Sequence, residues 1–312
     1  MKRSIIEFFA LSLVRGIAWA VLATTALMLG SIALGGAGTL TWEFLTANPT
    51  DGMTHGGIFP AIFGTLCITL LMILMALPLG VCAAIYMVEY AGRSTLSRVI
   101  RASVNNLAGV PSIVFGLFGV GFFILFVGRS IDAVRGGGLL FGQPAMLWAA
   151  ATLAVLVLPV IIVSTAEALN AVPQSHREAS FALGATRWQT VQRVVLPQAK
   201  AGILTGSILS ISRGAGETAP ILFTGCAYFL PRLPVVHVSL PFTGLSVPMV
   251  NPLDQFMELS YHIFIMATQS TDAAVTRPIQ YGTTLVLVGL TFTLNLSAIW
   301  LRARYRGRPA VR

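Results

Sequence analysis

An all-α integral membrane fold, with six transmembrane helices and a pair of short helices on the cytoplasmic side, is what this sequence predicts. Three observations lead there. Of 312 residues, 55% are hydrophobic and 10% charged, where a soluble domain carries about 25% charged residues; mean hydropathy is +0.82. The apolar residues gather in six runs, each reaching the ~20 residues that a spanning helix needs. The basic residues cluster in alternate connections between those runs. Length alone would suggest two soluble domains, and composition overrides it.

The runs are 16–36, 61–88, 108–128, 145–165, 201–229 and 282–301. Lys2, Arg3 and Arg15 precede the first, as in a signal peptide, but the run exceeds the 7–15 residues of a signal core and reads as an uncleaved anchor. In the second, Pro78 and Gly80 predict a kink or tilt, because proline removes a helix hydrogen bond. The third carries Gly109, Gly116, Gly119 and Gly121. Small residues let helix backbones approach closely, so tight packing is the favoured reading and pore lining the second.

Basic residues orient the chain. With the N-terminus in the cytoplasm, fifteen of the 20 Lys and Arg residues fall inside, including Arg93, Arg98 and Arg101 and five in the tail. Four fall outside (Arg129, Arg135, Arg232 and Arg277), and Arg213 is the remainder. Both termini are then cytoplasmic, as an even span count requires. The net charge of +9 follows from this topology and does not call for a nucleic-acid partner. The expected divisions are an N-terminal anchor helix and external loop (1–60), a core (61–301) and a basic cytoplasmic tail (302–312). Within the core lie a cytoplasmic loop, 166–200, and an external loop, 231–281.

The external loop carries Pro231, Pro234, Pro241, Pro248, Pro252 and Pro278. Its middle, 253–268, is amphipathic and aromatic, with Phe256, Tyr261 and Phe264. Asp254 and Glu258 argue against a seventh span and favour an interfacial or re-entrant helix. His237 and His262 lack metal-ligand spacing and read as ordinary polar contacts. Cys67, Cys82 and Cys226 lie inside apolar runs and read as small buried hydrophobes, with no metal or disulfide spacing.

Arg213 and Glu217 stand inside the apolar stretch 201–230. A residue about 12 positions into a helix lies about 18 Å along it, near the centre of a roughly 30 Å hydrocarbon slab. A charge there costs several kcal/mol unless it faces protein, water or a partner. The pair therefore points to passage of a charged solute. Gly214 and Gly216 remove bulk beside it, and Ser210, Ser212 and Thr218 offer hydroxyl donors, which can also bond to their own helix carbonyls. Two readings of Glu217 stand: an intrahelical ion pair that neutralises Arg213, or an acceptor that meets a protonated oxyanion. The second is favoured, since Arg-before-Glu is the weaker order for helix support.

Between the fourth and fifth runs, Pro173 suits the start of a helix, Gly184 its C-terminal stop, and Thr186 with Gln189 forms a capping-box pattern that restarts one. Trp188, Val191 and Val195 then share a face, and Pro197 ends it. Glu178-Ala179-Ser180, Gly184 after three residues, Val194 nine later, then Val195 and Leu196-Pro197 resemble the coupling loop of ABC importer permeases. Ser180 stands where that pattern has a third Ala, and Val194 where it usually has Ile. Leu107–Phe118 and Ser212–Phe223 resemble the third- and fifth-span signatures of phosphate permeases of the PstA type, so that the resemblance covers most of the chain.

What this resemblance implies is a type I ABC importer permease fold in a bacterial inner membrane and a phosphate pathway lined by Ser212, Arg213, Glu217 and Thr218. Coupling to an ATPase would run through Glu178, Ala179, Ser180, Gly184, Arg187, Leu196 and Pro197. The implied partners are a homologous second permease subunit, two copies of an ATPase subunit, an external phosphate-binding protein and membrane lipid. The chain lacks a G-x-x-x-x-G-K-[ST] loop and has only two lysines, Lys2 and Lys200. ATP and Mg are therefore expected on the partner, with no cofactor or metal here and no enzyme activity of the chain's own. The runner-up substrates are phosphonate, sulfate and molybdate. An intramembrane enzyme using Glu217 as a base is disfavoured, because no nucleophile–base–orienter set appears and His55, His176, His237 and His262 lie outside the apolar runs. The loop argues against a stand-alone channel or secondary transporter.

Overall fold

The computed structural model describes residues 2–92, 95–239, 246–270 and 272–306. Residues 307–312 of the basic tail, Arg93 and Pro241 lie outside the described residues. Among the described residues, six helical segments are long and apolar enough to cross a membrane: Phe9–Thr39, Phe59–Tyr90, Ser112–Arg135, Met146–Asn170, Arg187–Gly214 and Ala273–Arg304.

In chain order, α1 (Lys2–Gly36) is followed by the short α2 (Trp42–Thr46) and a small hairpin of β1 (Pro49–Thr50) and β2 (His55–Gly56). Next, α3 (Phe59–Ile85) runs through Pro78 without interruption and continues as a π-helical turn over Tyr86–Tyr90. An amphipathic helix, α4 (Thr95–Leu107), occupies the connection between the second and third spans. The third span is α5 (Ser112–Phe118), a π-helical stretch (Gly119–Gly128) and α6 (Arg129–Arg135). It starts after Pro111 and overruns the apolar stretch, so Arg129 and Arg135 ride on a helix end and not in a loop. Gly136, at φ 68°, stops it.

The central element is α7 (Met146–Asn170), which packs against α3, α10 and α11. Its small and branched residues Ala149, Ala150, Leu153, Leu156, Val157 and Ile161 are all buried. After it come α8 (Gln174–Ala182), α9 (Arg187–Thr190) and α10 (Leu196–Gly214). Pro173 is the residue just before α8 and not in its first turn. Nor does Pro197 end a helix. A π-helical turn over Val191–Val195 joins α9 to α10, and Pro197 falls in the first turn of the new register, where its missing N–H is not needed. The same turn carries Val191 and Val195, and Trp188 does not share their buried face. Those two are buried, and Trp188 is exposed.

The predicted fifth span, 201–229, is not one helix. It breaks after Gly214 and resumes as α11 (Ala219–Thr224). Pro220 has no N–H to give to the Gly216 carbonyl and disfavours helical backbone before it, and two glycines weaken the turn further. The break is closed by tight turns, Gly216 N to Arg213 O (3.3 Å) and Glu217 N to Gly214 O (3.4 Å).

The remaining segment forms a hairpin of β3 (Val235–Ser239) and β4 (Ser246–Val250), which the sequence did not announce, then α12 (Leu259–Gln269) and α13 (Ala273–Arg306). His237 is exposed on β3. The helix α12 is not spread on an interface but packs on α3 and α13, with Tyr261, His262, Ile265 and Met266 buried. Gly64 of α3 lies directly on the Met257 backbone, where a Cβ would come within 1.9 Å of the carbonyl oxygen. The loop before α12 caps α7: Met146 N donates to Asp254 O (2.9 Å) and Leu147 N to Pro252 O (2.7 Å), satisfying N–H groups left open at a helix start. Cysteines follow the expectation in part, since Cys226 is buried, Cys67 half-buried and Cys82 exposed.

Thus α3 and α7 span from the end that carries the β3–β4 hairpin to the end that carries α8 and α9, and α10 runs back between them.

Candidate functional site at the break in the fifth span

Arg213 lies in the last turn of α10, and Glu217 in the break beyond it. Gly214 sits against Met72 and Val157: a Cβ there would lie 2.2 Å from Met72 Sδ and 3.9 Å from Val157 Cγ1. Met72 is midway along α3, and Val157 midway along α7. The helix that carries Arg213 therefore stops level with the middle of its two long neighbours, because it starts well below them at α9. Arg213 therefore stands in the last turn of a helix and not inside a continuous span.

The pair is not intrahelical, since Glu217 lies past the helix end. Arg213 Nε donates to Glu217 Oε1 at 3.3 Å, with the side chains 38% and 19% exposed. This contact uses one of the five N–H donors of the guanidinium. Among the described residues, no hydrogen bond is made by Nη1 or Nη2 of Arg213, so its bidentate edge is open. Gly216 beside it is exposed.

The flanking hydroxyls divide. Ser210 is buried and donates to Gly206 O (2.9 Å), so it offers nothing outward. Ser212 bonds to Ile208 O (3.0 Å) and to the side chain of Asn295 on α13. Thr218 immediately precedes α11, and its side chain does not cap that helix. Asn295 was passed over in the sequence, although an amide inside the apolar run 282–301 was a visible signal.

The two signature stretches meet in space. Gly116 of α5 lies on α11, where a Cβ would come within 2.9 Å of Ala219 O and 3.2 Å of Phe223 Cδ2. Gly119 is pressed between Thr152 and Thr224. Tight packing is the role of these two glycines, while Gly121 has open space around it.

At the opposite end of the fifth span, α8 and α9 meet at Gly184, with φ 82°, a backbone conformation that favours glycine. Thr186 and Gln189 form the reciprocal capping box, with N···O distances of 2.8 and 3.3 Å. Ser180 Oγ lies 2.9 Å from Thr190 Oγ1, clipping α8 to α9 with a hydroxyl that an alanine would lack. Glu178, Ala179 and Arg187 are exposed, as are Phe181 and Leu183, and Leu196 is half-buried. Pro197, also exposed, marks the start of α10.

The sequence missed what fastens this helix pair to the bundle. Arg177 is buried and donates to Glu89 Oε1 from Nε (3.2 Å) and Nη2 (2.9 Å), to Val172 O (2.6 Å) and to Leu169 O (2.8 Å). A cavity of about 470 Å³ lies beside it, with Glu89, Asn170, Arg177 and Arg187 among its lining residues.

Residues 76–233, which include α8, α9 and Arg213, match the family described as binding-protein-dependent transport system inner membrane component. "Probable ABC transporter permease protein YqgI" of Bacillus subtilis is 33% identical over 307 residues, covering 96% of each chain. "Phosphate transport system permease protein PstA 1" of Mycobacterium tuberculosis is 36% identical over 248 residues, 79% of this chain and 71% of that protein. In fold, the chain resembles a subunit of a bacterial alginate ABC transporter solved in complex with an alginate pentasaccharide-bound periplasmic protein. The TM-score is 0.65 at 14% identity, over 97% of this chain and 96% of that one. With six spans in the type I importer arrangement, a matched region that includes Arg213 and α8–α9, and a relative aligned end to end, the chain belongs to the family of binding-protein-dependent transport system inner membrane components.

Proposed function

We propose that this chain forms half of the translocation pathway of an ATP-driven phosphate importer, with a homologous second permease subunit as the other half. The observation that carries the reading is the Arg213–Glu217 contact across the helix break: a guanidinium held by one N–H, with its two-pronged edge open. That edge matches paired oxygens of an oxyanion. Relatives named as phosphate permeases over most of this chain's length support phosphate as the anion. Ser212 and Thr218 flank the passage.

Glu217 serves two ends. In the empty state it holds Arg213. When phosphate arrives, the carboxylate partly yields the guanidinium and accepts a proton-bearing oxygen, which fully deprotonated sulfate does not have. The contact is single-pronged and partly exposed, as a site that must also release its cargo requires. Selectivity then rests mostly with an external phosphate-binding protein.

The drive comes from outside the chain. Two copies of an ATPase subunit, holding ATP and Mg, act on the knob built by Glu178, Ala179, Ser180 and Gly184, with Arg187 at its rim. From there the helix Arg187–Gly214 runs unbroken past Leu196 and Pro197 to the break. A displacement of α9 reaches Arg213 directly, while Glu217 lies beyond the joint, so motion at the knob changes the Arg213–Glu217 distance. Because Arg177, Arg187 and Arg193 stand at that end, it faces the cytoplasm with both termini.

The test is ATP hydrolysis by the reconstituted complex with its binding protein. Stimulation by phosphate, and not by phosphonate, sulfate or molybdate, is the expected result. Stimulation by one of the other anions instead reassigns the cargo.

A further inference from the structure

The break at 214–218 divides the fifth span between two packing environments. The α10 half lies against α13, α7 and α3, whereas α11 lies against α5 and α7. What ties the Arg213 turn to its surroundings is therefore decided on the α10 side. Among the described residues, one side-chain to side-chain hydrogen bond joins α10 to α13: Ser212 to Asn295. It falls on the residue immediately before Arg213.

The proton count of this bond is informative. A serine hydroxyl has one proton to donate, and Ser212 Oγ is also 3.0 Å from Ile208 O. Both contacts are satisfied together when the Asn295 amide is turned so that Nδ2–H donates to Ser212 Oγ and the serine proton goes to Ile208 O; the two orientations of an amide are otherwise equivalent in shape. Asparagine can serve here as either donor or acceptor. Leucine, the commoner occupant of an apolar span, can do neither. An amide in the middle of the last span is costly unless it is used, and this contact is its use.

From these contacts we infer that Asn295 is a positioning residue for substrate capture, acting through Ser212 to fix the turn that presents the Arg213 guanidinium. The inference rests on the reading of Arg213 as the anion-binding group. Loss of the latch leaves α10 folded and packed but lets its last turn rotate against α13, and the open edge of Arg213 no longer meets the anion at one fixed angle. The effect belongs to binding more than to turnover.

The experiment measures phosphate uptake by the complete reconstituted complex for Asn295→Ala, Ser212→Ala and the double variant, each also in an Arg213→Lys background. Cross-helix side-chain hydrogen bonds in membrane proteins average about 0.6 and reach about 1.7 kcal/mol, so each single variant is expected to raise the apparent KM about three- to eighteen-fold with a near-normal maximal rate. The double variant is expected to equal either single one, and in the Arg213→Lys background neither substitution is expected to raise KM further. Independent, multiplying effects of the two substitutions overturn the inference, as does a further loss in the Arg213→Lys background. Should Asn295→Ala fail to accumulate in the membrane, Ser212→Ala decides alone, because it deletes the same bond with the smallest change in volume; a wild-type KM in that variant overturns the inference. A near-normal Arg213→Lys transporter instead overturns the reading of Arg213 itself, so the two failures are distinguishable.

Discussion

Arg177 of α8 grips Glu89 at the end of the second span through two N–H bonds of 3.2 and 2.9 Å, while its third nitrogen and Nη2 close the carbonyls of Val172 and Leu169. One side chain thus joins the knob, the end of α7 and the end of α3. Both partners are almost completely covered, at 10% and 13% side-chain exposure. Breaking a buried pair by removing one partner leaves the other charge uncompensated and costs about 3–5 kcal/mol. Arg177→Met is expected to detach α8 from the bundle. ATP hydrolysis in the reconstituted complex should lose its dependence on substrate, whereas binding of the ATPase to the exposed knob persists. Normal substrate-dependent hydrolysis in this variant would show that the clamp is dispensable.

Glycines in the third span separate by what surrounds them. A Cβ on Gly119 would stand 2.3 Å from Thr152 Oγ1 and 2.7 Å from Thr224 Cγ2, but Gly121 has nothing within 4 Å. Gly119→Ala is expected to lower stability by about 1–3 kcal/mol through overpacking, while Gly121→Ala is neutral or slightly stabilising because alanine is the better helix former. Melting of the purified protein in detergent reads the contrast, and equal behaviour of the two variants would contradict the packing of the third span on α7 and α11.

The start of α12 carries two buried titratable groups of opposite sense. Glu258 accepts from Tyr261 N (2.8 Å) and from Ser260 Oγ, and burial pushes its carboxyl up to about 6 from an ordinary 4.5. Burial also holds the His262 imidazole down to about 4 from 6.5; neither ring nitrogen finds a hydrogen-bond partner among the described residues, which corrects the expectation of an ordinary polar contact. For Glu258 the folded value is the higher one, so its contribution is present below pH 4.5 and lost as pH rises through about 6. For His262 the folded value is the lower one, so its contribution is present above pH 6.5 and lost as pH falls towards 4. The two oppose each other, and the larger His262 shift prevails on acidification. Glu258→Gln is therefore expected to make the fall in melting temperature between pH 6.5 and 4.5 steeper, since one pKa unit corresponds to about 1.4 kcal/mol. A shallower fall in that variant would reverse the assignment.

Glu217→Gln keeps an acceptor but gives up the negative charge that holds Arg213. A looser hold predicts tighter retention of anions and poorer discrimination against sulfate. Competition of sulfate with phosphate uptake measures it: sulfate is expected to compete at least several-fold better in the variant than in the parent. Unchanged competition would leave Glu217 the neutralising role alone.

Much of this was legible in the sequence because the physics behind it is local or one-dimensional. Runs of about 20 apolar residues mark the spans, and the Gly184 turn and the Thr186–Gln189 box are set by nearest neighbours. What failed to show was long-range or a matter of register. The π-helical turn at Val191–Val195 leaves no mark in hydropathy, so Pro197 reads as a helix end when it is a helix start. The fifth span looked like one run because a break lined by glycine and alanine is as apolar as a helix. Pro220 is the signal there. Arg177–Glu89 and Ser212–Asn295 join residues 88 and 83 positions apart, and nothing in spacing pairs them. The burial of His262 depends on how α3 and α13 cover α12.

Transport by the Arg213→Lys complex tests the central claim most directly. Lysine keeps the charge at the break but has no planar, two-pronged edge. Charge-assisted hydrogen bonds contribute about 1.5–3 kcal/mol each, so phosphate uptake at limiting concentration is expected to fall about ten- to a hundred-fold, with normal abundance in the membrane and normal assembly with the ATPase. Uptake within two-fold of the parent protein would contradict the account.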